Sequence, residues 1–216
     1  MDFIKTENME EKNYSSKVPE NRESGGNINA ESIAQLNDIE AATALFKTAK
    51  QRLFDVNHWQ DIAGNALAHF QITDASGKDI DGPVSEGCYF KIDIPGPATE
   101  DGDGFDWVRV EDVSAYESVD VESVGIRVRP ASNPTSPNTE TAHFYSSDST
   151  STFTVTREKT KVTAAVYDRN IKANQDTEGV MDQVRNFLVG IAGKITGSKI
   201  QWKHLTDGLI EQPKND

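Results

Sequence analysis

The chemistry this sequence can offer rests on one histidine and four arginines: His143, Arg127, Arg129, Arg157 and Arg169. A guanidinium meets a carboxylate or phosphate through two parallel hydrogen bonds. Strand alternation puts Arg127 and Arg129 on one face of their segment, with Ile126 and Val128 on the other. Arg157 shares a face with Phe153 and Val155, and Arg169 shares one with Tyr167. Brought together, these arginines make a cationic cluster that suits a small anionic ligand. The simpler reading is internal pairing with Asp106, Glu158, Asp168 or Asp182, because an unpaired buried arginine is costly. His143, beside Phe144 and Tyr145, titrates near neutrality and suits a general base. Its plainer role is that of a strand histidine satisfied by a backbone carbonyl.

Other candidates are weaker. The hydroxyl run at 146–156, SSDSTSTFTVT, becomes a nucleophile set only with a positioned base, and it reads as a strand with a threonine face. Glu100-Asp101-Gly102-Asp103-Gly104-Phe105-Asp106 resembles a calcium loop, but Phe105 stands where an oxygen ligand is needed. The four histidines, His58, His69, His143 and His204, form no i, i+4 ligand pair, and the single cysteine, Cys88, excludes a cysteine-built zinc site. There is no GxSxG, no phosphate-cradling GxxxxGK[ST], no HExxH and no GxGxxG opening a helix. No metal, cofactor or catalytic residue is assigned, and whether the protein is an enzyme stays open.

The elements that must position these side chains follow from periodicity. Residues 1–28 read as a disordered polar tail with no apolar periodicity to dock, so that deleting them should leave thermal stability nearly unchanged. A helix capped by Asn29 follows, its stripe formed by Leu36, Ile39, Ala42, Leu45, Phe46, Ala49 and Leu53. From about residue 66 the period falls to two, and strands are expected near 66–72, 89–94, 107–111, 119–129, 142–145, 150–157 and 161–167. Val180, Met181, Val184, Phe187, Leu188, Ile191, Ala192 and Ile195 form an apolar stripe that predicts a long helix with Phe187 buried. A shorter amphipathic piece at 198–210 carries Trp202, Leu205 and Leu209. Grouped strands between helices indicate one α+β domain over 29–210, with 211–216 a polar end. The expected architecture is a bent or closed antiparallel barrel of six or seven strands, since closure removes exposed edges. The alternative is a helix-grip, a curved sheet wrapping the C-terminal helix around a cavity.

The segments Ile92-Asp93-Ile94-Pro95-Gly96-Pro97, Asp106-Trp107-Val108, Ile126-Arg127-Val128-Arg129-Pro130, His143-Phe144 and Gln201-Trp202-Lys203 resemble an uncharacterised bacterial protein family, over about residues 55–210. That resemblance implies a bacterial source and a single domain, and it carries no activity and no site residues.

Charge narrows the function classes. The 216 residues hold 22 basic and 35 acidic side chains, a net charge of -13. Residues 74–122 hold 14 acidic and 3 basic residues, so -11 of that charge lies in the middle of the chain. Such a surface repels phosphate backbones and argues against nucleic-acid binding. No apolar run reaches the roughly 20 residues that span a bilayer, and no signal-peptide pattern opens the chain, so a cytoplasmic protein without membrane contact is expected. The first functional reading is a binding or protein-interaction module. The alternative is a small-ligand-binding protein or enzyme, with a cavity between the sheet and the C-terminal helix.

Overall fold

In the computed structural model the described residues are 14–15, 25–64, 68–93, 102–172, 174 and 199–212. The chain forms β1 (Gly26–Gln35), α1 (Ile39–Phe54), a 3-10 turn (Val56–His58) and α2 (Trp59–Ala63). Six more strands follow: β2 (His69–Thr73), β3 (Tyr89–Asp93), β4 (Asp106–Glu117), β5 (Val121–Pro130), β6 (Thr150–Glu158) and β7 (Lys161–Ile171). Residues 199–209 form a terminal helix. The seven strands make one sheet in the order β1-β7-β6-β5-β4-β3-β2, antiparallel throughout. The α+β class is as expected.

The sheet is not closed into a barrel, and this corrects the sequence expectation. The premise was that closure is the way to hide the edges. Here the edge strand β2 is covered locally instead: the Asn57 side chain accepts the Ile72 N–H at 2.7 Å and donates to the Ile80 carbonyl at 3.1 Å. The turn after β2 folds back so that the Ile80 N–H reaches the Ile72 carbonyl at 3.0 Å. With the outward N–H and carbonyl of Ile72 satisfied, that part of the edge has no need of a barrel partner.

The N-terminal third also differs from expectation. Residues 26–35 are a strand, not tail and helix start, and the helix begins only at Ile39. Asp38, not Asn29, caps it, accepting the Ala41 N–H at 2.8 Å. The expected stripe is buried from Ala42 through Leu45, Phe46 and Ala49 to Leu53. Two residues from the segment read as tail touch the sheet. Tyr14 stacks on Tyr116 at 5.6 Å and donates to Glu158 at 3.1 Å. Ser15 Oγ lies 2.9 Å from Ser123 Oγ, which lies 2.8 Å from Thr156 Oγ1. Residues 142–145, expected as a strand, are irregular apart from an isolated bridge at Tyr145. The stripe at 180–195, including Phe187, lies outside the described residues.

One face of the sheet, the core face, carries Phe70, Ile72, Phe90, Val110, Val124, Ile126, Phe153, Val155, Val162, Ala164 and Val166, packed with α1, Trp59 and the terminal helix. Trp59 organises it: its ring lies 4.9 Å from Phe153 and 5.3 Å from Phe70, and its indole N–H donates to the carbonyls of Arg52 and Leu53 at 3.2 Å. Arg52 in turn donates to the carbonyls of Gly208, Leu209 and Glu211, which ties the end of the terminal helix to α1. Gly208 allows the closest approach, since a Cβ there would stand 2.1 Å from the Ile62 carbonyl oxygen.

Candidate ligand site

The apolar core face changes character at one end. Residues on this face recur every second position along β7: Val162, Ala164, Val166 and then Asp168. Register places Asp168 opposite Ser151 of β6 on one side and Ile28 of β1 on the other, with Val128 of β5 beyond Ser151. A carboxylate thus sits in a row that burial would reserve for apolar groups. Asp168 is 2% exposed.

Trp202 from the terminal helix reaches down to it, and the indole N–H donates to Asp168 Oδ2 at 2.8 Å. The Trp202 ring also packs on Phe153 at 5.3 Å and on Phe70 at 6.3 Å, which fixes its direction. The other oxygen, Oδ1, makes no hydrogen bond among the described residues. Ser151 is its polar neighbour across the strand pair but does not complete a well-formed bond to it. Burial pushes the Asp168 pKa up from 3.8 to about 6, against the pull of Ser151, Trp202 and the positive charge of Arg169.

Beside Asp168 lies a cavity of about 20 Å³ lined by His143, Tyr145, Ser149, Thr150 and Ser151, closed by Val108, Val128, Pro130 and Ile171. That space holds about one water-sized group. His143 arrives there on an irregular segment pinned from two sides. Asp106 Oδ1 accepts the Phe144 N–H at 3.1 Å, and the Asn174 side chain donates to the carbonyls of Thr141 and His143. His143 stacks on Phe144 at 4.4 Å, and its Nδ1 accepts the Tyr145 N–H at 2.9 Å. An Nδ1 that accepts leaves Nε2 to carry the ring proton in the neutral form.

The four arginines do not converge. Arg157 is on the core face at the far end of β6, 4% exposed, donating to Glu122 at 2.6 Å and to the Lys159 carbonyl at 3.1 Å. Arg169 faces outward from β7 and donates to Asn29 Oδ1 at 2.6 Å and to the Asp168 carbonyl at 2.9 Å. Arg127 and Arg129 do come together on the outer face of β5. Alternation from Arg109 puts Glu111 on that same face, and the register shift between Val110 and Asp112 sets Asp112 opposite Arg127 next to it. Arg127 and Arg129 both donate to the Glu111 carboxylate, and Arg129 also donates to the Ser147 carbonyl at 2.8 Å. Burial alone would raise the Glu111 pKa. Arg129 and Arg127 outweigh it and hold the carboxyl below its ordinary value.

Sequence reasoning missed the pairing of Asp168 with Trp202. The signal was present: an aspartate in phase with Val162, Ala164 and Val166 is a carboxylate on an apolar face. Glu111 follows Arg109 by two residues, so alternation puts it on the outer face; what spacing does not encode is that β5 pairs there and brings Arg127 and Arg129 beside it. Among the described residues no group of three or more His, Cys, Asp or Glu side chains is placed to hold a metal. Nor, among those residues, is any helix long and apolar enough to cross a membrane.

No protein-family model and no curated protein matches the chain. Among solved structures it is similar to Ara h 8.0201, at 13% identity and a TM-score of 0.33, covering 84% of this chain and 99% of that one. It is similar to norcoclaurine synthase from Thalictrum flavum, solved with dopamine and hydroxybenzaldehyde, at 11% identity and a TM-score of 0.34, covering 80% and 86%. A protein from Thermus thermophilus, TTHA0849, is similar at 12% identity and a TM-score of 0.38, covering 86% and 94%.

Proposed function

We propose that the protein is a small-ligand-binding protein of the helix-grip type, taking its ligand between the core face of the sheet and the C-terminal helix. Asp168 is the polar anchor. The observation that carries this reading is a wholly buried carboxylate with one oxygen held by Trp202 and the other unpartnered among the described residues. Buried polar groups are almost always satisfied, so an exception calls for a partner. The cavity admits about one water-sized group, so what fits beside Asp168 Oδ1 is a single hydrogen-bond donor, the hydroxyl or amine of a small ligand whose apolar remainder takes space now filled by the core-face packing. Apolar walls with few convergent polar groups are the usual make-up of such sites.

The test is a thermal-shift and tryptophan-fluorescence screen with matched pairs of small aromatic compounds, with and without a hydroxyl or amine. Donor-bearing members should raise the melting temperature and quench Trp202, while their donor-less partners should not. Asp168→Asn should lose this preference. Equal binding of both partners, or a preference unchanged in Asp168→Asn, would remove Asp168 as the anchor. The interaction-module reading has less support, since among the described residues the exposed large apolar side chains Tyr14, Ile33, Ile39, Tyr116, Val119 and Ile200 are spread over different elements, with Tyr14 and Tyr116 covering each other.

A further inference from the structure

Cross-strand register sets two like charges against each other on the outer face of the sheet. Arg109 of β4 stands directly opposite Arg129 of β5, and like charges in that position repel. On its other side Arg109 faces Tyr89 of β3, not an acid. Arg109 is exposed and makes no hydrogen bond or ion pair among the described residues. The single carboxylate of Glu111 already serves both Arg127 and Arg129. Asp112, opposite Arg127, accepts the Ser114 hydroxyl at 3.0 Å.

These groups border an open cleft of about 370 Å³ whose charged lining residues are Arg109, Arg129, Glu86 and Glu111, the last already paired with Arg129. Arg129 is held rigid by Glu111 and the Ser147 carbonyl, so its guanidinium is ordered before any ligand arrives. An oxyanion between the two guanidiniums would relieve their repulsion and accept charge-assisted hydrogen bonds from both. We propose that this cleft is a binding site for a small oxyanion, a phosphate or carboxylate group, distinct from the interior site and independent of it.

Isothermal titration calorimetry of the full chain with inorganic phosphate and with succinate, at constant ionic strength, tests it. Millimolar binding of at least one probe is expected. Arg109→Gln changes an exposed side chain, so the variant should fold and melt like the parent, and it should weaken binding roughly tenfold. Glu86→Gln removes a lining charge of the wrong sign and should tighten binding. Absence of binding by the parent to both probes would overturn the proposal. So would equal affinity in the parent and Arg109→Gln, which would place the anion elsewhere. Neither variant touches Asp168, so failure here leaves the interior reading standing.

Discussion

Two carboxylates, one on each face of the same sheet, are driven in opposite directions. Glu111 on the outer face is wedged between Arg127 and Arg129, and its pKa falls although burial alone would raise it. Asp168 on the core face has an indole N–H and, among the described residues, no direct ion pair, and burial takes its pKa up to about 6. The fate of a half-buried or buried acid is therefore set by what its strand neighbours supply. Alternation carries both acids, Glu111 to the outer face where β5 supplies two guanidiniums and Asp168 to the core face where the row is apolar. The first arrangement is self-contained and stabilising. The second leaves an acid whose requirements the described residues do not meet, which is the mark of a site more than of a scaffold.

The contrast depends on a tightly packed, apolar interior, and the largest change would come from breaking it. Trp59 is fully buried among Phe70, Phe90 and Phe153. Trp59→Ala should cost about 3–5 kcal/mol in urea denaturation, enough to unfold a marginal domain. A loss below about 1 kcal/mol would mean that this face is not the core.

Asp168→Asn sharpens the contrast next. The folded protein holds the Asp168 proton up to pH about 6, while an unfolded aspartate loses it near 3.8. Between those values the native state binds more protons, so stability falls as pH rises through the window. The full cost, on the order of 3 kcal/mol, is present above it. Asparagine can still accept from Trp202 and carries no charge. The variant should be about 2–3 kcal/mol more stable than the parent at pH 7, with the gain gone near pH 4. A variant less stable than the parent at pH 7 would refute the buried-charge argument.

Glu111→Gln should do the reverse on a smaller scale. Its lowered pKa contributes stability above the unfolded value of 4.5, lost as pH falls through the folded one. The ion pairs are partly exposed, so the expected cost is about 1 kcal/mol at pH 7, shrinking in acid. Denaturation at pH 7 and at pH 3.5 measures it. The smallest effect is expected from Tyr14→Ala, which removes a stacked, partly exposed ring and one hydrogen bond and should cost about 0.5–1 kcal/mol. No change would show that the contact with Tyr116 is energetically idle.

Strong apolar periodicity was readable in the sequence, and features made by neighbours in space were not. The α1 stripe from Ala42 to Leu53 and the strands around Phe90, Ile126, Phe153 and Val166 follow directly from residue spacing. β1 was obscured because Ala30, Ser32 and Ala34 are small and weakly patterned, so only pairing with β7 makes them a strand. Sheet closure was misjudged because the groups that satisfy the β2 edge are a single asparagine side chain and a folded-back turn. For the arginines, the alternation faces inferred for Arg127, Arg129, Arg157 and Arg169 match their positions. Their dispersal follows from strand order, which spacing does not encode. Asp168 needed only the question of why an acid keeps phase with three aliphatic residues.

The most direct test of the central claim is an NMR pH titration of the Asp168 side-chain carboxyl carbon, assigned by its loss in Asp168→Asn. A midpoint near pH 6 is expected in the unliganded protein, together with a shift of the Trp202 indole N–H resonance at the same pH. A midpoint at or below the ordinary value of 3.8 would contradict the account, because it would mean that Asp168 is solvated or ion-paired and has no need of a ligand.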